Sequence, residues 1–491
     1  MVFLLGVWFL CHFRALQMRG HYFEEWFPVL NTLVDEEGQM INNMFGRCQS
    51  KTNPRTAFWC MSILALIVSF PVAGFCQDPA DNGPSNIAYW NGGTGSWFGT
   101  GGSTNWVCEV KGSEYNCRAP NSAAWTAIIG AAGPNLAGSA SLYLKQPATV
   151  GELLIGDGTN GNLYITGSRN GKPSLTANTI VVGVTHSGST PNPDTMNISA
   201  DAQGHPGIVN DVNGYIGDHG NSTLSKYSYG AVNVTGAGSQ WNNSGLLEVG
   251  VNGNGTLNIS AGASVSDMIG IVGANGPSAG MVTLTGTGST FTSSQLLDVG
   301  LGGTGILNVN TGTTAGAGTT TNPGQFLIGT TGTVHVNSLG GSLVGNVTNS
   351  GTLDPLSVTN IYGSYTQNSS GNTILDVSGK NSYGQLDVTG NVAIGGTLTL
   401  DFTNGHGWIT TGDTFTFFTT PGTFNDSGVV VDLIGCKNCQ FSETFMNGKF
   451  TYTSLNSPAE PETLVLLAIS LIAVAVFVGR MRHSILPDLR I

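Results

Sequence analysis

From Gln77 to Pro458 the apolar residues fall in short runs that alternate with Thr, Asn and Ser and are punctuated by glycine. Leu153-Leu154-Ile155, Leu163-Tyr164-Ile165, Ile180-Val181-Val182 and Met196-Asn197-Ile198 are typical. A period of two with glycine punctuation predicts many short strands and turns. No sustained helical period occurs in this stretch. The pattern becomes most regular at residues 230–316, where Gly230–Ser266 aligns without a gap on Gly280–Gly316, with 16 of 37 positions identical. Other positions keep their character: Trp241 matches Phe291, Glu248 matches Asp298 and Ile259 matches Val309.

A fixed period marks a stacked architecture. The 50-residue unit, written at 230–279 and again at 280–329, holds about four strand signals and reads as two coils of roughly 25 residues. Inward Val, Leu and Ile of successive coils would stack into one core, with Gly and Asn at corners that need positive φ. The predicted fold class is all-β: a parallel β-helix (solenoid) over 148–400, with β-rich caps at 77–147 and 401–457. A β-sandwich array is the alternative, disfavoured because the gapless period has no longer antiparallel meanders. Asn447-Gly448 between two alternating runs predicts a hairpin in the C-terminal cap.

Composition adjusts this picture in two ways. Glycine is 72 of 491 residues and charged residues are only 9%, while 40% are apolar, enough to offset the entropy of ordering. Residues 77–458 carry 9 Lys and Arg against 21 Asp and Glu. An acidic body without a basic patch excludes nucleic acid as a partner class.

The ends address the chain. Arg47, Lys51 and Arg55 precede an apolar core from Ala57 to Phe70, broken by Pro71 and followed by Ala73 and Gly74. Residues 44–76 therefore read as a secretory signal peptide, with an N-terminal membrane anchor as the alternative. Residues 1–43 stand upstream of that signal, so translation is expected to start at Met40 or Met44, or else the leader has two parts. At the other end, 458–491 contain an apolar helix at 464–479, preceded by Glu460 and Glu462 and followed by Arg480 and Arg482. Sixteen residues span roughly 24 Å, workable as one C-terminal transmembrane helix with the body outside.

Candidate chemistry is sparse. Trp90, Trp97 and Trp106, spaced by glycines, serve either to cap the open end of a solenoid or as a glycan-facing platform, with Trp241 as a fourth such aromatic. In an exported chain Cys108 and Cys117 are expected to close a hairpin by a disulfide, and Cys436 and Cys439 to form a second, small structural one. The polar stretch with Asp201, His205, Asp211, Asp218 and His219 is expected to be a surface loop interrupting the coils. Asp211-x-Asn213 has only part of a calcium-loop pattern. Glu248 and Asp298 recur at equivalent repeat positions, which places them in a solvent-facing ladder. No nucleophile elbow, zinc helix or phosphate loop is present, so no catalytic residue, metal ligand or cofactor is assigned.

The tail Ala459-Glu460-Pro461, then Leu464–Gly479, then Arg480, Arg482 and His483 resembles the PEP-CTERM sorting signal. It departs in having Ala459 where the first proline is expected, and in the ILPDLRI extension. The resemblance implies recognition by an exosortase-type enzyme in a Gram-negative bacterium that makes extracellular polysaccharide. The YWNGGTGSWFG stretch, and the YTQ, QLDVTG and IGGTLTL segments after Gly363, are similar to autotransporter passenger β-repeats. Together these imply an exported surface protein of the cell envelope or extracellular matrix. It is membrane-anchored at least transiently and has a structural or adhesive role toward exopolysaccharide or neighbouring cells in a biofilm. A polysaccharide lyase or glycosidase on the same fold, and a passive matrix scaffold, are the alternatives.

Overall fold

Glycine corners and two-residue alternation wind the chain into repeated turns, each hydrogen-bonded to the next. A computed structural model describes residues 86–452, apart from 100–104, 111–112, 132–138, 169–173, 187–192, 219–227, 338–339, 404–412, 427, 436–440 and 447–448. The described residues are all-β, without a helix. They form a 23-stranded sheet, a 14-stranded sheet and a small three-stranded sheet. The two large sheets are almost wholly parallel, in a β-helix-like arrangement. Gly230, Gly255, Gly280 and Gly305 stand opposite one another in successive turns, a constant step of 25 residues.

Each turn gives one strand to the 14-stranded sheet and two short segments to the 23-stranded sheet, meeting at a bend. In one turn these are Gln240–Asn243 and Leu246–Val249. In the next, Ser264–Val272 is one bent strand whose register shifts between Asp267 and Ile269. A turn therefore has three sides, not the two that four strands per 50 residues imply. Segments of four residues are too short for alternation to resolve them from a single longer strand.

Alternation fills the interior. Leu163, Met196, Val232, Leu257, Val282, Leu307, Val334 and Leu353 stack in one column of the 14-stranded sheet, all fully buried. Burying each such side chain contributes roughly 1.5–3 kcal/mol. The parallel ladders run beyond 148–400 in both directions. Ile87–Trp90 already pairs in parallel with Ser122–Ile129, and Val429–Ile434 still pairs with Gly396–Asp401. The turns at the two ends lack the regular period, which is why the pattern understates the length of the solenoid.

Both ends of the core are closed by aromatic rings. At the N-terminal end the hairpin Trp106–Val110 with Ser113–Asn116 lies antiparallel against Ile87–Trp90, so the first turn does not leave a bare parallel edge. Cys108 and Cys117 are joined by a disulfide across this hairpin. Trp106 packs edge-on against Trp90 and Trp97, with centroids 5.4 and 5.0 Å away. At the C-terminal end Phe402, Phe415, Phe417 and Phe418 are buried, with Tyr383 set edge-on to Phe415 and Phe417. Thr414–Thr416, Phe441–Met446 and Lys449–Tyr452 form the antiparallel three-stranded sheet, and Met446 pairs with Lys449 across the expected hairpin.

Gly250 shows why the corner glycines are required. It has a φ of +75°, and a Cβ there would lie 2.5 Å from the backbone of Ala279 and Gly280 in the next turn. Gly204 has a φ of +84° but open space around its Cβ direction. Gly204→Ala is therefore expected to cost only the left-handed penalty, about 1–2 kcal/mol. Gly250→Ala adds overpacking between turns and should cost about 3 kcal/mol or more. Denaturant midpoints of the two variants check this; equal losses would mean that the turn-to-turn clash is not the constraint.

Candidate functional site

The outer side of the 14-stranded sheet carries a continuous polar column. One outward column runs Tyr143, Tyr164, Asn197, Asn233, Asn258, Thr283, Asn308, His335 and Asp354, one residue per turn. Asn233 Nδ2 donates to Asn197 Oδ1 at 2.9 Å, Asn258 Nδ2 to Asn233 Oδ1 at 2.9 Å and Asn308 Nδ2 to Thr283 Oγ1 at 3.2 Å. Tyr143 and Tyr164 stack with centroids 4.8 Å apart at one end, and His335 Nδ1 meets Asp354 Oδ2 at 2.8 Å at the other. A neighbouring column is built of hydroxyls, with Ser260 Oγ donating to Thr235 Oγ1 at 3.0 Å. Parallel register sets identical backbone spacing between rungs, about 4.8 Å, so this face repeats its donors and acceptors on that period.

The aromatic residues singled out from the sequence lie inside. Trp90, Trp97, Trp106 and Trp241 are at most 2% exposed, so none presents a ring to a glycan. Their indole N–H groups are used internally: Trp97 Nε1 donates to the Pro120 carbonyl at 3.0 Å, Trp106 Nε1 to the Trp97 carbonyl at 2.8 Å and Trp241 Nε1 to Asp211 Oδ2 at 3.2 Å. An indole with its N–H satisfied in the core seals better than it binds.

The acidic stretch does not converge on one place. Asp201 accepts the backbone N–H of Gln203 and His205 and pairs with the His205 ring at 2.8 Å, a local turn. Asp211, expected in a surface loop, instead points into the core from Ile208–Asp211, and Asn213 Oδ1 accepts the Leu246 N–H, so the two do not make a calcium loop. His219, Cys436, Cys439, Glu460, Pro461, Arg480, Arg482 and the apolar run 464–479 lie outside the described residues. Among the described residues no helix is long and apolar enough to cross a membrane, and no cluster of three His, Cys, Asp or Glu side chains could hold a metal.

Glu248 and Asp298 require a correction. They occupy equivalent rungs, separated by Ile271, but are only 6% and 5% exposed and so are not solvent-facing. Alternation places them outward, yet this flank is covered, as the burial of Ile271 and Val251 also shows. Burial, helped by the negative charge of Asp218, pushes the Glu248 carboxyl up to about 7. Asp218 is itself held by Asn252 Nδ2 at 3.0 Å, and Tyr215, on the rung before Glu248, is raised to about 12 by burial and then by Glu248 and Asp218. A covered acid near neutrality has the character that acid–base chemistry uses.

Asp194 escaped notice in the sequence. It stands between Gly161 and Gly230 in a corner column that is glycine at every later turn from Gly230 to Gly332, with its carboxyl against Gly156. Its Oδ1 accepts the Gly161 N–H at 2.8 Å. The absence of glycine at that rung was the signal available. A shallow depression at Gln367, Asn368, Ser369 and Asn425 is lined without a titratable side chain. No family model matches the chain, and no curated protein matches it.

Burial raises Asp194 to about 7, against the opposing Gly161 hydrogen bond. The folded state then keeps this proton up to near pH 7, whereas the unfolded chain loses it near pH 4. Stability from this group should be complete below about pH 4 and fall as pH rises to about 7, by on the order of 2–4 kcal/mol. Asp194→Asn should flatten that slope in chemical denaturation; an unchanged slope would show that Asp194 ionises normally in the folded protein.

Proposed function

We propose that this chain is an exported β-solenoid surface protein with a structural and adhesive role toward extracellular polysaccharide or neighbouring cells. The observation that carries the reading is the uninterrupted ladder from Asn197 to Asn308 on the outer side of the 14-stranded sheet. Amides and hydroxyls repeated at one backbone spacing suit a periodic, hydroxyl-rich polymer. The acidic body disfavours anionic nucleic acid. A disulfide at Cys108–Cys117 suits an oxidising compartment outside the cytoplasm. The basic-then-apolar segment at 44–76 and the PEP-CTERM-like tail with Glu460, Pro461, Arg480 and Arg482 support export and sorting by an exosortase-type enzyme, with the helix at 464–479 as the membrane hold before processing.

A second reading, a polysaccharide-degrading enzyme, rests on Glu248 beside Asp218. It predicts turnover that Glu248→Gln abolishes, measured as release of reducing or unsaturated ends from native exopolysaccharide.

Under the adhesive reading, the full-length protein should bind native exopolysaccharide in a pull-down. Replacing Asn233, Asn258 and Asn308 together by Ala should weaken that binding about tenfold or more while leaving the circular dichroism unchanged. Absence of binding by the unaltered protein to both polysaccharide and cells would remove the adhesive role.

A further inference from the structure

The rings at the C-terminal end fill the interior but do not close the 14-stranded sheet. Its last strand, Val429–Ile434, pairs with Gly396–Asp401 on one side and, among the described residues, with no strand on the other. Leu398 and Leu400, one turn earlier, are fully buried, whereas Val431 and Leu433 beside them are only half-buried against the same core. On the outer face Val430 and Ile434 are 64% and 44% exposed, the two most exposed large apolar side chains among the described residues.

The backbone of this strand shows which groups face the free edge. The Ile434 carbonyl accepts the Phe402 N–H at 2.8 Å, so Ile434, Asp432 and Val430 turn their backbone groups toward the preceding turn. Val431 and Leu433 turn theirs onto the edge, as does Val429, whose N–H reaches the Asp426 carbonyl only at 3.4 Å. A run of VVVDLI with an open row of donors and acceptors is a template for one more strand. The strand at the opposite end of the sheet, Gly93–Ser96, reads GTGS and offers no apolar side chain, so stacking copies head to tail would bury little.

We propose that Val429–Ile434 is the contact between two copies of this chain, paired antiparallel across a twofold axis. Register decides for a second copy, because the strand is complementary to itself. Centred on Val431, the pairing sets Val431 opposite the partner's Val431 and Val429 opposite the partner's Leu433. Every inward position then meets an apolar one, and these are the residues whose backbone groups face the edge, so the pairs exchange hydrogen bonds. On the outer face Val430 lies opposite the partner's Asp432. Centred on Asp432 instead, two carboxylates would stand directly opposite one another, with Cα atoms about 4.5 Å apart. Centres nearer either end shorten the overlap. A twofold contact is closed and stops at two copies. It joins the polar ladders of two molecules on one continuous sheet.

The test is analytical ultracentrifugation of the full-length chain in mild detergent, where a monomer–dimer equilibrium with nothing larger is expected. Val431→Pro removes an N–H that faces the edge and leaves the ladder to Gly396–Asp401 intact. It should weaken the dimer at least tenfold with the circular dichroism unchanged. Should that variant not fold, Val431→Lys sets two cations opposite one another at the twofold and should cause the same loss. Val430→Lys tests the register. It removes an exposed apolar side chain, which would weaken any nonspecific contact, but it places a cation opposite the partner's Asp432. The dimer should therefore tighten about two- to tenfold at low salt, and high salt should remove the gain. A chain that stays monomeric throughout the micromolar range, or an assembly that grows beyond two copies, would overturn the proposal. So would a dimer that Val431→Pro and Val431→Lys leave intact, or one that Val430→Lys weakens.

Discussion

Parallel hydrogen bonding of each turn to the next is the interaction on which the rest of this structure depends. It demands that successive turns follow nearly the same backbone path, about 4.8 Å apart. Corners must then be tight enough for one turn to nest on another. Gly250, Gly273 and Gly300 meet this demand with positive φ and with backbone from the following turn pressed against them. Any side chain at those rungs would separate the strands it joins.

Register converts that backbone constraint into chemistry. Side chains inherit the spacing of the ladders, so a residue type repeated every turn becomes a continuous column. Apolar columns fill the interior. Amides on the outside pair along the column, and Asn197, Asn233 and Asn258 form a rigid polar stripe instead of three separate side chains. The same rule acts on rare residues. An acid at an inward rung cannot escape to solvent, because its strand neighbours are fixed, and so Asp194, Asp211 and Asp267 are held in the core. Burial pushes Asp211 up to about 8 and also holds Asp267 well above the usual carboxylate range, opposed by hydrogen bonds from Trp241 and Ser293 respectively. A glycine gives way to two of them: a Cβ at Gly156 would meet the Asp194 carboxyl, and one at Gly270 would lie 3.2 Å from both Asp267 oxygens.

Open ends are the corresponding weakness of a stacked fold. A last turn exposes both its core and a row of unpaired backbone groups. Here the N-terminal end is closed by a disulfide-joined antiparallel hairpin carrying Trp106 onto Trp90 and Trp97. The C-terminal end is filled by stacked Phe415 and Phe417, with Phe402 edge-on to the first. These rings have the composition of a sugar platform, and their burial follows from the need to seal the core.

Much of this was legible in the residues. Alternation and the 50-residue unit determined the all-β class, the parallel stacking and the 25-residue step, because a periodic backbone needs a periodic sequence. The Cys108–Cys117 hairpin was legible from its short polar span. Three matters were decided only by the tertiary structure. Each turn has three sides because four-residue segments on either side of a bend look like one strand. Trp241, Asp211 and Glu248 are buried because alternation gives a residue's side of the strand but not what covers that side. Asp211, Asn243, Asp267 and Ser293 fall on successive rungs of one inward column, although their separations of 32, 24 and 26 residues differ because the turns differ in length. Only the hydrogen-bonded register, summed over those unequal turns, brings them into one column.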